Sequence, residues 1–339
     1  MAYKKDRMTE GKYMRILTNV SEPRVSREWR ERTHYHSDII GGKGLLSDFR
    51  AALRFYRLSK HYDAVVVNSN RSGNIFVLLS SLLPSKKIPI IMIDCLWYKP
   101  DSILKLWIKR FQFMLMNAVV ERFVVWASHE VNDYAEVFKI PKHKFLYIPH
   151  HHSLEGYEYE VVKGDYIFSG GDGDRDYPTL LTAVKGLGIR VVIATRRNDW
   201  HGDLEIPAYV HACPTSAKEF RSLMAGSRIV VVPMQKGLLH SGGQQTYLNA
   251  MALGKPVIVA DECGASDYID NMKNGIIVPP GDSIALRKAI LSIIIDPDFE
   301  NELCRNAELA YDKYSTSRCM EEILALVEDT FRATNGRES

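Results

Sequence analysis

The chain reads as an α/β protein built from two doubly wound, Rossmann-like halves facing a cleft. Three observations predict this. Short β-branched runs alternate with helical stretches from end to end, the pattern of parallel sheets covered by helices on both faces. The alternation breaks once, over residues 150–163, where the sequence is polar and aromatic without a clear period, and then restarts. A length of 339 residues is enough for two separate cores.

In the first half, strands are expected at 14–20, 63–68, 88–93, 122–126 and 145–149. The run Ala64-Val65-Val66-Val67 is continuously apolar, as a strand buried on both faces has to be. Helices are expected at 47–59, where apolar residues recur at helical spacing, at 74–83, stopped by Pro84, and at 103–120 and 130–138. Residues 150–163 are the interdomain linker. The second half then gives strands at 166–168, 190–194, 229–232 and 257–260, and helices at 177–187, 217–225 and 244–253. Gly254 ends the 244–253 helix, and Lys255-Pro256 leads into the next strand. A last helix covers about 316–332. The expected divisions are 1–152, 153–315 and a C-terminal helical segment, 316–339.

Composition narrows the function classes. The chain is 46% hydrophobic and 25% charged, with a net charge of +3, and these values suit a soluble protein. So mild a charge, without a concentrated basic stripe, argues against nucleic acid as a partner. Five dispersed cysteines, Cys95, Cys213, Cys263, Cys304 and Cys319, read as reduced thiols in a cytoplasmic protein. The first fifteen residues have no apolar core, so no signal peptide is expected. No stretch reaches the roughly 18 apolar residues of a spanning helix.

The densest information lies in residues 237–261, GLLHSGGQQTYLNAMALGKPVIVAD. Gly242-Gly243 open a helix, and free N–H groups at the positive end of a helix make an anion site that glycines let a diphosphate approach closely. An ordinary loop–helix–strand unit has the same punctuation. The order of the pieces separates the two readings. Ala250-Met251-Ala252-Leu253-Gly254-Lys255-Pro256-Val257-Ile258, then Gly264, then Asp267-Tyr268-Ile269, then Asn274-Gly275-Ile276-Ile277-Val278-Pro279-Pro280-Gly281-Asp282 resemble the donor-site signature of GT-B glycosyltransferases, especially the retaining family 4 (glycosyl transferases group 1). The resemblance is strong over about 165–295 and weak before it. It implies the GT-B fold, a nucleotide-sugar donor, retention of anomeric configuration, no metal ion and no other cofactor, and a last helix that crosses back to the first domain. The first domain would then bind the acceptor. Where the family pattern has paired glutamates, this chain carries Ser241 and Asn249. Asn249 can still hold a ribose, because an amide both donates and accepts, whereas Ser241 lacks a glutamate's reach and charge.

Further candidates follow from position. Tyr166 to Tyr177 is a strand, a loop holding Gly170 and Gly171, and then a helix, a second turn suited to phosphate. Arg175 is the expected cationic partner of the leaving diphosphate, although a solvated arginine among acidic residues fits the same pattern. Arg196 follows the 190–194 strand at the sheet end where ligands sit in open α/β sheets. His240 is expected where diphosphate and sugar meet, and Gln244, Gln245 and Thr246 occupy the first helical turn beyond Gly243. Asp172 and Asp174 have D-x-D spacing but lie in the glycine loop of the second half. His150-His151-His152 falls at the linker, where consecutive histidines cannot all face one ion.

In the first half, Glu22, Pro23, Arg24, Arg27, Arg30, Arg32, His34 and His36 follow the first strand and read as a loop facing the cleft. Its arginines suit an anionic acceptor, and a solvated charged loop is the plainer alternative. The 103–120 helix is apolar on nearly all sides with Lys105, Lys109 and Arg110 on one stretch. It reads either as peripheral contact with the inner face of the cell membrane or as a buried helix with a basic outer edge. The resulting expectation is transfer of a hexose from a nucleotide-sugar to a glycan or lipid-linked acceptor, in cell-surface polysaccharide or glycoconjugate synthesis. His240 and Arg175 would be catalytic, with Asp38, Glu22 or Asp94 as base should the reaction invert. A non-catalytic sugar-nucleotide-binding homologue and a different GT-B activity, such as an epimerase, are the rivals.

Overall fold

The computed structural model describes residues 14–21, 26–84, 87–261 and 264–335. Glu22, Pro23, Arg24 and Cys263, singled out above, lie outside the described residues. The first domain runs β1 (Ile16–Thr18), α1 (Arg27–Arg32), β2 (Thr33–Tyr35), α2 (Leu45–Ser59), β3 (Ala64–Asn68), α3 (Arg71–Leu82), β4 (Ile90–Ile93), α4 (Ile103–Asn117), β5 (Val120–Val125), α5 (Glu130–Phe138) and β6 (Phe145–Tyr147). Its sheet is parallel, in the order β2-β1-β3-β4-β5-β6.

The second domain runs β7 (Tyr166–Gly170), α6 (Tyr177–Val184), β8 (Arg190–Ala194), β9 (Val210–Cys213), α7 (Ala217–Ala225), β10 (Ile229–Pro233), α8 (Gln244–Ala252), β11 (Val257–Ala260), β12 (Ile276–Val278), α9 (Ser283–Ile295), α10 (Pro297–Glu308) and α11 (Ala310–Lys313). The strand order is β12-β11-β10-β7-β8-β9, again parallel. The chain winds outward from β7 to β9 and then returns to β10 on the other side. The switch point therefore lies between β7 and β10, where a crevice opens beyond the strand ends.

The helix α12 (Thr316–Asn335) follows the second domain. Cys319, Met320, Ile323, Leu324 and Val327 on this helix are buried in one cluster with Ile16, Ala64, Val66, Ile91 and Val124 of the first sheet. The last helix of the sequence thus completes the core of the first domain.

Three features depart from the sequence reading. The arginine-rich stretch is not an open loop: Ser26 caps α1 by accepting from Trp29 N–H, and Trp29 is fully buried. Arg32 pairs with Glu328 on α12, and Arg27 with Glu31 one turn along. These cations are therefore spent on the α1–α12 contact and on helix surface, not on the cleft. A single buried tryptophan among alternating Arg and Glu gives no periodic signal. β2 and β9 are sheet edges with largely exposed residues, so neither shows an apolar run. Finally, the 103–120 helix stops at Asn117, because Val120 already belongs to β5.

Candidate active site

The glycine turns flank the switch point, one after β7 and one after β10. Gly243 takes the left-handed conformation, φ +80°, and serves as N-cap of α8 with no side chain capping the helix. Thr246 N already bonds Gly243 O at 2.9 Å, which leaves the Gln244 and Gln245 amides without a backbone partner among the described residues, and the dipole favours an anion there. A Cβ on Gly243 would lie 2.7 Å from Val232, and one on Gly242 2.5 Å from Met234. Gly171 is also left-handed, φ +119°. At Gly170 the neighbours decide: a Cβ there would run into the ring of Phe220. Close packing against that ring is reason enough for glycine here.

Arg175 lies beneath both turns. Its guanidinium donates to Gly170 O at 3.0 Å, to Gly173 O at 2.9 Å and to Thr246 Oγ1 at 3.3 Å. The side chain is buried, and a Cβ on Gly171 would come within 2.9 Å of it. Burial lowers its pKa from the ordinary arginine value, but an arginine keeps its charge. No carboxylate among the described residues forms an ion pair with it. The result is a fixed positive charge, solvated by carbonyls, beneath two glycine turns, an arrangement that suits an anionic group.

Beside it a cleft of about 360 Å³ opens. Gly171, Asp172, Thr195 and Arg196 line one side, Gln245, Thr246 and Asn249 of α8 another, and Ser153 of the linker joins them. Thr215, Ser216, Phe220 and Arg221 at the start of α7 complete it. These last four were not foreseen. The signal was present, since Ser216 and Glu219 form a capping box that marks a helix start after a strand. Arg196 reaches the cleft but is held by Asp172, whose carboxylate accepts Arg196 Nε at 2.6 Å, Arg196 N at 2.8 Å and Thr195 Oγ1 at 3.0 Å. Those bonds outweigh desolvation and hold Asp172 below the usual carboxylate range.

Two residues expected to touch the donor, Asn249 and Ser241, are hydrogen-bonded within the protein. Asn249 Oδ1 accepts from Ser153 N at 2.8 Å, which ties α8 to the linker while the amide still lines the cleft. Ser241 turns away toward the first domain, where its N–H and hydroxyl both reach Glu130. Gln244 follows it, with Nε2 donating to Ser241 Oγ. His240 is buried, with Nε2 3.2 Å from Asp174 Oδ2 and its ring 4.4 Å from that of Tyr98. Tyr98 of the first domain also donates to Asp174 at 3.0 Å. Burial lowers the His240 pKa and Asp174 opposes the change. The carboxylates of the D-x-D pair thus serve different partners. Among the described residues no group of three or more His, Cys, Asp or Glu is placed to hold a metal ion.

Across the cleft, Asn68 Nδ2 and Trp126 Nε1 donate to the two oxygens of Asp94, at 3.1 and 3.0 Å. Asp94 sits just past β4 with φ +59°, in the left-handed region that aspartate enters more readily than most side chains. Asp38, by contrast, pairs with Arg54 on the outer side of α2.

Residues 197–310 match the family glycosyl transferases group 1, a stretch that takes in the α8 turn and the strands on either side. The matched stretch lies wholly within the second domain. Solved structures carry the likeness over the whole fold. Alr3699/HepE of Anabaena, solved in complex with UDP-glucose, superposes with a TM-score of 0.71 at 13% identity, covering 93% of this chain and 100% of that one. A sucrose-phosphate synthase of Thermosynechococcus elongatus gives 0.64 at 17%, covering 89% and 84%. A glycosyltransferase of Rickettsia africae gives 0.63 at 14%, covering 94% and 90%. No curated protein sequence matches the chain. The fold is therefore GT-B.

Proposed function

We propose that this protein moves a hexose from a UDP-sugar to a lipid-linked glycan acceptor, with retention and without a metal ion, in the synthesis of a cell-surface polysaccharide or glycoconjugate. The observation that carries the donor side is the buried Arg175 charge beneath the Gly171 and Gly243 turns, next to a polar cleft. The nucleoside fits that cleft, with Asn249 and Ser153 at the ribose and the α7 start at the base. The diphosphate lies on the α8 amides, so its developing charge is stabilised by fixed dipoles and a cation as the glycosidic bond breaks. In a retaining transfer the departing phosphate takes the acceptor proton, so the reaction needs no protein base. UDP is chosen because Alr3699/HepE was solved with UDP-glucose.

The acceptor reading rests on α4. No helix among the described residues is long and apolar enough to cross a membrane. Yet α4 exposes Ile103, Leu104, Trp107, Ile108, Phe111 and Met114, with Ile103 77% and Trp107 63% accessible. An apolar row of this size beside lysines suits the surface of a bilayer.

The test is a panel of nucleotide-sugars assayed for nucleotide release and thermal stabilisation, since a matched ligand stabilises by mass action. A UDP-hexose is expected to stabilise the protein and to be hydrolysed slowly without acceptor, and NMR of the transferred sugar should show retained configuration. Binding without hydrolysis or transfer would favour the non-catalytic homologue, a reading favoured by the engagement of Ser241 and Asn249 with protein partners. No response to any nucleotide-sugar would sink the donor assignment.

A further inference from the structure

Glu130 stands across the domain boundary from the turn that opens α8, in a segment to which the sequence assigns no role. The residue is 1% accessible. Its Oε2 accepts from Trp126 N and Ala127 N, each at 3.0 Å, and so meets the needs of its own domain at the α5 start. Its Oε1 accepts from Ser241 N at 2.8 Å and Ser241 Oγ at 3.0 Å, with Tyr134 OH at 3.3 Å. Gln244 in the first turn of α8 donates to the same Ser241 hydroxyl. A continuous chain of hydrogen bonds therefore runs from α5 of one domain to the diphosphate turn of the other. It exists only while the domains are together, because separation strips Oε1 of both Ser241 donors.

The same segment of the first domain has a second tie that does not touch the turn. Asp267 accepts from Ser128 N at 2.6 Å and Ser128 Oγ at 2.7 Å. Holding the domains together and fixing the turn are thus carried by different residues. We propose that Glu130 is a positioning residue that acts through Ser241, fixing the Gly242-Gly243 turn for the donor diphosphate when the domains close. Ser241 stands where the family pattern places a glutamate, and here the carboxylate comes from the opposite domain. The inference rests on the nucleotide-sugar reading above.

Its test uses the full chain with UDP for binding, UDP-glucose for turnover, and amide hydrogen exchange over 241–246 without nucleotide. Hydrogen bonds to a charged acceptor are the stronger kind, so Glu130→Gln is expected to lower kcat about tenfold or more. The Kd for UDP should weaken severalfold as well, because a turn left mobile has to be ordered when the diphosphate binds. Exchange over 241–246 should quicken in Glu130→Gln and not in Asp267→Asn. Ser241→Ala should give a smaller loss, and the double variant should be no worse than Glu130→Gln, because the two act as one unit. Additive losses, an Asp267→Asn variant as slow as Glu130→Gln, or unchanged exchange over 241–246 would overturn the proposal. A wild-type protein that ignores UDP and UDP-glucose would refute the donor reading, and the exchange comparison would still decide whether Glu130 fixes the turn.

Discussion

At Gly243 the backbone conformation and the neighbours act in the same direction. The residue sits at φ +80° with Val232 against the place a Cβ would take. Gly243→Ala is expected to cost about 1 to 3 kcal/mol of stability, read from chemical unfolding, as well as UDP affinity. A bulkier replacement would disturb the fold itself, so alanine is the informative change. A variant with wild-type stability and wild-type UDP affinity would refute this account of the turn. Asn249 presents a different case, since its oxygen is already used by Ser153 N. Asn249→Ala should weaken UDP and UDP-sugar alike by about 1 to 2 kcal/mol, through lost hydrogen bonds at the ribose end of the cleft. An effect confined to the sugar's contribution would move Asn249 to the sugar subsite.

At the scale of elements, the linker histidines set a pH response. His152 is fully buried, with Leu154 N donating to its Nδ1 at 3.2 Å and its Nε2 2.9 Å from Tyr311 O. Nδ1 must therefore be the unprotonated acceptor, which fixes a neutral imidazole. Burial lowers the pKa of His150, His151, His152 and His240 below the ordinary 6.5. The unfolded chain then binds more protons than the folded one once the pH drops below about 6.5. These histidines stabilise the fold above that pH, and the contribution is lost as the pH falls toward 5. Thermal midpoints measured from pH 7.5 to 5 should fall, and a flat or rising profile would contradict the assignment. The α4 helix carries its own test. Arg110 is held by Val137 O and Lys105 by Asp101, so the apolar row is the part left for a bilayer. Trp107→Ser with Phe111→Ser should abolish co-sedimentation with anionic vesicles and leave UDP affinity unchanged. Wild-type protein that stays in solution at low salt would point to a soluble acceptor.

For the whole molecule, the chain order and the folding units do not coincide. Ile323 lies on the last helix, yet it is fully buried against the first sheet. Ile323→Ala is expected to destabilise the first domain by about 2 to 5 kcal/mol, the usual range for emptying a buried aliphatic site. Hydrogen exchange should then quicken in β1, β3 and β4 and leave β10 and β11 protected. Quickening confined to the second domain would show that the packing of α12 is wrongly read.

What the sequence determines here is whatever depends on near neighbours along the chain. Continuous β-branched runs such as 64–67 specify buried parallel strands, and Gly243, Gly254 and Pro256 specify where α8 and β11 begin and end, because backbone sterics act within a few residues. Those signals, with the order of motifs over 237–282, fix the fold class and the place of the glycine turn before α8. Tertiary structure alone decides the use of side chains that meet across long separations. Nothing near Glu130 in sequence foretells Ser241, nothing near Arg32 foretells Glu328, and Ser153 and Asn249 meet only because the linker folds back on α8. Such contacts follow from how two sheets and a returning helix are arranged in space, and a buried partner far away in the chain leaves no period or motif behind.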